Sequence, residues 1–253
     1  EVLEVELHTG EILTDIDGNV YGTVQIGNKL WMAENLKVTR YRNGVAIPTG
    51  YSSGEWGNLS TGAYAVYADD PANAEIYGYL YNFYAVENWQ LAPYGWHVPT
   101  DVEIKELEMY LGMSQEEAYS SGYYRGTNEG SKLAGMADLW IDGNLENDPE
   151  FGTSGFNLLP GGYRHYTGGY SNMGNYGYFW SYTDFMDSDA WFRFLHYDDS
   201  GIWRTAYNKK GGYSVRCVRN VDANLSMNSG GNDKQTDSKL VTTSGTGFSN
   251  TSR

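Results

Sequence analysis

Four histidines and one cysteine carry the widest chemical repertoire in this 253-residue chain: His8, His97, His165, His196 and Cys217. A zinc or copper centre needs such ligands at short fixed spacings or as a cysteine pair. These histidines stand singly, without H-x-H or H-x-x-x-H spacing. One cysteine makes neither an intrachain disulfide nor a multi-cysteine metal site. Cys217 falls in the alternating run Tyr213-Ser-Val-Arg-Cys-Val218 and reads as a small buried hydrophobe. His97 precedes a capped helix and reads as a structural hydrogen-bonding residue. A hydrolase elbow, a phosphate loop and a paired-carboxylate motif are all missing, so no catalytic residue is predicted.

Carboxylates are the commoner resource. Asp69-Asp70, Asp184, Asp187-Ser-Asp189 and Asp198-Asp199 are loop acids of the type that hold Ca²⁺, but their spacing matches no calcium loop. Solvated acids are the simpler reading, and a structural Ca²⁺ is the one cofactor left open. Against 32 Asp+Glu stand 17 Lys+Arg, a net charge of −15. A phosphate-backbone binder needs a basic face, so nucleic acid is not an expected partner.

Aromatic residues make the stronger case. The chain holds 23 Tyr, 8 Trp and 8 Phe beside 32 Gly, a mixture that favours a loop-rich β or α+β domain over a helical bundle. As a strand, residues 190–199 place Trp191, Arg193, Leu195 and Tyr197 on one face and Phe192, Phe194, His196 and Asp198 on the other. The expectation is one covered face and one face that displays rings, with a sandwiched strand whose two faces are both core as the alternative. Aromatic rings stack on sugars and anchor protein interfaces at low entropic cost. The predicted ligand-binding set is Phe192, Phe194, His196, Asp198, Asp199, Trp203, Thr205 and Tyr207. Residues 161–178 mix Tyr with Gly, Ser and Asn, as antibody paratopes do. Tyr166 and Tyr170 from this segment, and Tyr182 just beyond it, complete the set.

The elements that must position these residues are partly legible. Residues 1–14 alternate and read as an N-terminal strand extension. A turn at Asp17-Gly18-Asn19 and another at Gly27-Asn28 define a β-meander to Met32. Residues 37–75 read as loop. Residues 77–89 are aromatic and fit either a helix or a strand. Thr100 with Glu103 forms a capping box, followed by an inner stripe of Ile104, Leu107 and Leu111 and a stop at Gly112. Ser114 with Glu117 repeats the signature. Turns dominate 122–177, and strands return over 178–220. Residues 222–253 are too polar to offset ordering entropy and read as a flexible tail. No apolar run reaches the roughly 18 residues of a membrane span. Glu1 in place of a Met, with no signal peptide, fits either a processed, exported chain or a trimmed one.

Six ordered motifs resemble one family over about 15–221. They are Asp15-Ile-Asp-Gly-Asn-Val-Tyr21, Val24-Gln-Ile-Gly-Asn-Lys-Leu-Trp-Met-Ala-Glu-Asn-Leu36, Gly95-Trp-His-Val-Pro-Thr-Asp101, Gly155-Phe-Asn-Leu-Leu-Pro-Gly-Gly-Tyr-Arg164, Phe179-Trp-Ser181 and Gly212-Tyr-Ser-Val-Arg-Cys-Val218. The family is the Fibrobacter succinogenes major paralogous domain, found on surface and secreted proteins of Bacteroidetes. It is similar in turn to the formylglycine-generating-enzyme branch of the C-type-lectin fold. Trp96-His-Val-Pro-Thr-Asp-Val-Glu103 parallels that branch's R-L-P-T-x-x-E segment, and Gly212-Tyr-Ser-Val-Arg-Cys217 parallels its closing G-F-R strand. The resemblance implies an α+β, C-type-lectin-like or sulfatase-modifying-factor-like fold. It would have short twisted sheets, one or two main helices, and paired N- and C-terminal strands.

That branch's oxidases hold copper with two cysteines, and this chain has one. The Glu-Pro-Asn and Gln-Pro-Asp signatures of calcium-dependent animal lectins are also missing. The expected function is therefore non-catalytic recognition of a glycan or protein ligand at a cell surface, outside the cell or on a phage particle. A self-assembling subunit of a surface filament or layer is one alternative, and a metal-dependent oxidase the other. The resemblance also implies that adenine-directed diversification could act on the segment before the closing strand. Phe192, Phe194, His196, Asp198, Asp199, Gly201, Thr205, Ala206 and Tyr207 fit the codon set it generates, and Trp203 does not.

Overall fold

The computed structural model describes residues 11–221. The expected N-terminal extension up to residue 10 and the expected tail at 222–253 lie outside the described residues. Along the chain run β1 (Leu13–Thr14), β2 (Val20–Tyr21), β3 (Thr23–Ile26), β4 (Lys29–Met32), α1 (Ser53–Trp56), β5 (Tyr64–Ala65), α2 (Pro71–Tyr77), β6 (Leu80–Tyr81) and α3 (Phe83–Val86). Next come α4 (Asp101–Tyr110), α5 (Gln115–Tyr119), β7 (Gly122–Arg125) and α6 (Glu129–Leu133). The chain closes with β8 (Gly161–Arg164), β9 (Tyr170–Met173), β10 (Tyr176–Met186), β11 (Asp189–His196), β12 (Asp199–Asn208) and β13 (Val218–Asn220).

Local chemistry explains the starts of these elements. Asp15 accepts the backbone N–H groups of Asp17 and Asn19, and Gly18 supplies the positive φ that closes the β1–β2 turn. Gly27 does the same between β3 and β4. Thr100 and Glu103 form the reciprocal capping box that starts α4, and Asp101 and Glu103 place negative charge at its N-terminus. Ser114 caps α5. The aromatic stretch 77–89 is neither one helix nor one strand. It breaks at Asn82, whose side-chain oxygen accepts from Ala85 to cap α3 and from Ala63 across the chain.

β13 pairs antiparallel with β4, which pairs with β3, so segments nearly 200 residues apart in the chain meet in one sheet. The preceding residues, 213–217, are buried and extended but make only single bridges, Tyr213 to Tyr81 and Ser214 to Phe179. The larger sheet has the order β7-β12-β11-β10-β8-β9. The architecture is mixed α+β, mostly sheet with few helices, and the described residues form no barrel. None of their helices is long and apolar enough to cross a membrane.

Both faces of this sheet are covered, contrary to the expectation of a displayed face on β11. On one face Phe179, Leu195 and Ile202 share a core with Ile104 and Leu107 of α4. On the other, Tyr178, Trp180, Phe192 and Phe194 share a core with Tyr81, Phe83, Tyr213 and Cys217. Phe192 and Phe194 are only 4% and 6% exposed. Tyr213 from the closing segment lies over Phe192 at 4.6 Å and over Tyr178 at 5.2 Å, which buries the face that alternation left open.

Candidate binding site

Alternation along β12 puts Trp203, Thr205 and Tyr207 on the face that carries Phe192 and Phe194 of β11. The register fixes the pairs: Phe194 faces Trp203, and Phe192 faces Thr205. Trp203 is half-buried at the centre of an aromatic shelf. Phe194 lies 4.6 Å below it, His196 flanks it at 5.8 Å, and Tyr123 and Tyr124 rise beside it at 4.4 and 4.9 Å.

Tyr123 and Tyr124 are consecutive, and in a regular strand they would face opposite ways. Tyr124 has φ 57°, and the β7–β12 register shifts between Ile202 and Arg204. That irregularity brings both rings to the same indole. They remain 62% and 67% exposed. The Asp199 carboxylate accepts the Trp203 indole N–H at 2.5 Å and fixes the ring's orientation.

His196 packs between Tyr176 at 4.6 Å and Tyr197 at 4.6 Å. Burial lowers its pKa and outweighs the opposing pull of Asp198 and Asp199, so the ring is neutral at neutral pH. Its Nδ1 has no hydrogen-bond partner among the described residues. Toward the other end of β12, Tyr207 meets Tyr166 at 5.6 Å, and its hydroxyl lies 3.4 Å from His165 Nε2. His165 Nδ1 shares a 2.7 Å hydrogen bond with the Thr167 hydroxyl.

The reverse face holds a buried charge network. Glu108 accepts from Arg193 Nε at 2.6 Å and from Arg125 at 2.8 and 3.1 Å. Asp101 accepts from Arg193, from Arg204 twice and from Lys105. Burial works to raise the Asp101 carboxyl, but the Arg204 hydrogen bond and the Arg193 charge hold it well below the carboxylate range. Arg204, next in the chain to Trp203, also lies 3.7 Å from the Trp191 ring centre. The shelf therefore stands on a backing whose rotamers are set by ionic contacts with α4.

The predicted set divides. Trp203, His196 and Asp199 line or support the shelf, Thr205 continues its face along β12, and Tyr207 and Tyr166 form a separate ring pair at the other end of that strand. Phe192 and Phe194 are its buried floor and not displayed. Asp198 is exposed on the β11–β12 turn, where it accepts the Asn144 amide at 3.0 Å. Tyr170 donates to Asp69 at 2.6 Å and covers the Arg164 guanidinium, while Tyr182 donates to the Glu87 carbonyl. Among the described residues no ring contact joins either tyrosine to Trp203. Gly201 cannot vary freely either, since an added Cβ would lie 2.6 Å from the Arg125 carbonyl oxygen. Sequence reasoning missed Tyr123 and Tyr124. The run Ser120-Ser-Gly-Tyr-Tyr-Arg-Gly126 has the paratope composition that would have found them.

Of the groups that open the sequence analysis, Cys217 and His97 take structural roles, and His8 lies outside the described residues. Cys217 is fully buried, and desolvation pushes its thiol far above the usual range. His97 bonds Glu103 at 2.8 Å. Asp69 accepts from Tyr170, Asp70 caps α2, and Asp184 pairs with Lys209. Among the described residues, no group of three or more His, Cys, Asp or Glu is placed to hold a metal ion.

The fold and this site define a mixed α+β domain, mostly sheet, with an aromatic shelf on its largest sheet. Residues 24–219 match the Fibrobacter succinogenes major domain, and the chain belongs to that family. No curated protein and no solved structure matches the chain.

Proposed function

We propose that the domain is a non-catalytic recognition module, displayed outside the cell, that binds a glycan on the shelf around Trp203. One observation carries the reading: Trp203 packs beside two well-exposed tyrosines above a buried aromatic floor, with hydroxyl, imidazole and carboxylate groups beside it. Flat rings offer apolar faces to sugar C–H groups, and polar neighbours bind sugar hydroxyls. The finer placement, in the C-type-lectin-like group related to formylglycine-generating enzymes, is part of the same proposal. It is supported by the capped helix after Trp96-His-Val-Pro-Thr100 and by the return of β13 to β4. Of the positions that fit adenine-directed diversification, His196, Asp198, Thr205, Ala206 and Tyr207 are the ones neither buried as floor nor, like Asp199, bonded to the Trp203 indole.

A glycan array compares the wild-type chain with Trp203→Ala and Tyr207→Ala, after thermal melts confirm that both variants fold. The expected outcome is a discrete set of bound glycans, lost in Trp203→Ala and weakened in Tyr207→Ala. Glycan binding that survives Trp203→Ala would place the site elsewhere. A blank array, with a surface protein captured in a Trp203-dependent manner, would make the ligand a protein.

A further inference from the structure

A second concavity, of about 430 Å³, shares no lining residue with the shelf. It forms where residues 33–37, the end of α2, Met136 and Asn157 come together. Its volume falls within the roughly 300–1,000 Å³ range of small-ligand sites.

The walls are built in advance. Gly78, Met136 and Asn157 all have left-handed backbone, with φ of 72°, 56° and 55°. Such conformations at non-glycine residues persist only where the surroundings over-determine them, and they cluster at functional sites. Gly135 lets the wall close, since an added Cβ would lie 2.7 Å from Asn157 Cα. Arg216 is fully buried and has no ion-pair partner among the described residues. It donates instead to Asn35 Oδ1 at 2.9 Å, to the Asn157 carbonyl at 2.6 Å, and to the Met32 and Phe156 carbonyls. The guanidinium thus clamps three chain segments around the cavity.

The lining carries both signs of charge. Glu75 and Lys37 each lack an ion-pair partner among the described residues. The Lys37 ammonium rests 5.9 Å above the Tyr21 ring, and Glu34, which accepts the Gly22 N–H at 3.0 Å and whose charge favours the buried Arg216 guanidinium, stands at the rim. Leu159 gives an apolar floor, while Met136 and Ile76 form exposed apolar lips. Unpaired charges of both signs beside an apolar floor suit a zwitterion better than a net ion.

We propose that this cavity binds a free α-amino acid with an apolar side chain. Its ammonium group meets Glu75 and Glu34, its carboxylate meets Lys37, and its side chain lies on Leu159 under Met136. Methionine is unbranched and polarisable, so it adapts to side chains of different shape.

The test titrates the ¹⁵N-labelled full chain with L-phenylalanine and L-leucine and follows the amides of Gly78, Met136 and Asn157. Saturable shifts are expected at these amides. N-acetyl-phenylalanine, which lacks the ammonium, and phenylalaninamide, which lacks the carboxylate, should both fail to produce them. Glu75→Gln and Lys37→Met should each weaken binding about fivefold, the scale of a partly exposed ion pair. Trp203→Ala should leave it unchanged, which separates this site from the shelf. The proposal is overturned if neither amino acid gives saturable shifts, if the acetylated form binds equally well, or if both charge variants bind like wild type.

Discussion

Arg193 and Phe194 are adjacent on β11, yet they lie in two different cores. Arg193 is buried against α4 with Glu108 and Asp101, while Phe194 is buried under the Trp203 ring. One strand thus joins an ionic face to an aromatic one. The exposed rings are not those of β11 itself but those of β7 that stand beside Trp203 of β12.

Phe194→Ala should destabilise the domain by about 3–5 kcal/mol, because it empties a floor enclosed by Trp203, Tyr178 and Tyr176. Tyr123→Ala, at an exposed wall, should stay within about 0.5 kcal/mol. Urea denaturation reads both. Equal costs would contradict the division into floor and wall.

Glu108→Ala removes the shared acceptor of Arg125 and Arg193 and leaves two buried guanidinium groups short of a partner. The expected cost is about 3–5 kcal/mol. Asp184→Ala breaks the pair with Lys209, in which the carboxylate is largely exposed, and should cost about 0–1 kcal/mol. A mild phenotype for Glu108→Ala would mean that the network does not hold the sheet to α4.

Acid should destabilise the fold in a defined window. Burial works to raise Glu103, but hydrogen bonds from His97, the Thr100 N–H and Lys29 lower its pKa to about 2. Asp101 is also held below its ordinary value. The unfolded chain therefore takes up protons first as pH falls. The contribution of both groups is complete above about pH 5 and is lost progressively toward pH 2. The denaturation midpoint should fall over that range, and Glu103→Gln should flatten the profile. A wild-type midpoint that is constant from pH 5 to 2 would contradict the assignment.

Cys217 should resist alkylation in the native state, because burial both blocks access and disfavours the thiolate. Labelling with iodoacetamide, read by mass, should proceed only in denaturant. Rapid native labelling would show that the closing segment opens.

Local signals in the sequence were strong enough to read directly. Thr100 and Glu103 mark the start of α4 because a capping box involves neighbours only. Gly18 and Gly27 mark turns because a positive φ is a property of single residues. The motifs from Asp15 to Val218 carried the resemblance, which the family match over 24–219 bears out, and of the strand-like run 178–220 all but 209–217 lies mostly in strands. The break at Asn82 was not, since its side chain is engaged by Ala63, which lies in another segment.

Alternation along residues 190–199 separated Phe192, Phe194 and His196 from Trp191, Arg193 and Leu195, but it gave no face to Trp203, Thr205 and Tyr207, which the register of β12 on β11 places. It could not say which face of β11 would be covered. Coverage depends on segments distant in sequence: α4 on one side, and Tyr213 with its neighbours on the other. Nor could it bring Tyr123 and Tyr124 to Trp203, because that contact requires a left-handed residue and a register shift on an edge strand. The sequence by itself determined periodicity, caps, turns and family, all of which are set by near neighbours. Tertiary structure alone decided which rings became floor and which remained open to solvent, since burial is a property of what packs above a residue.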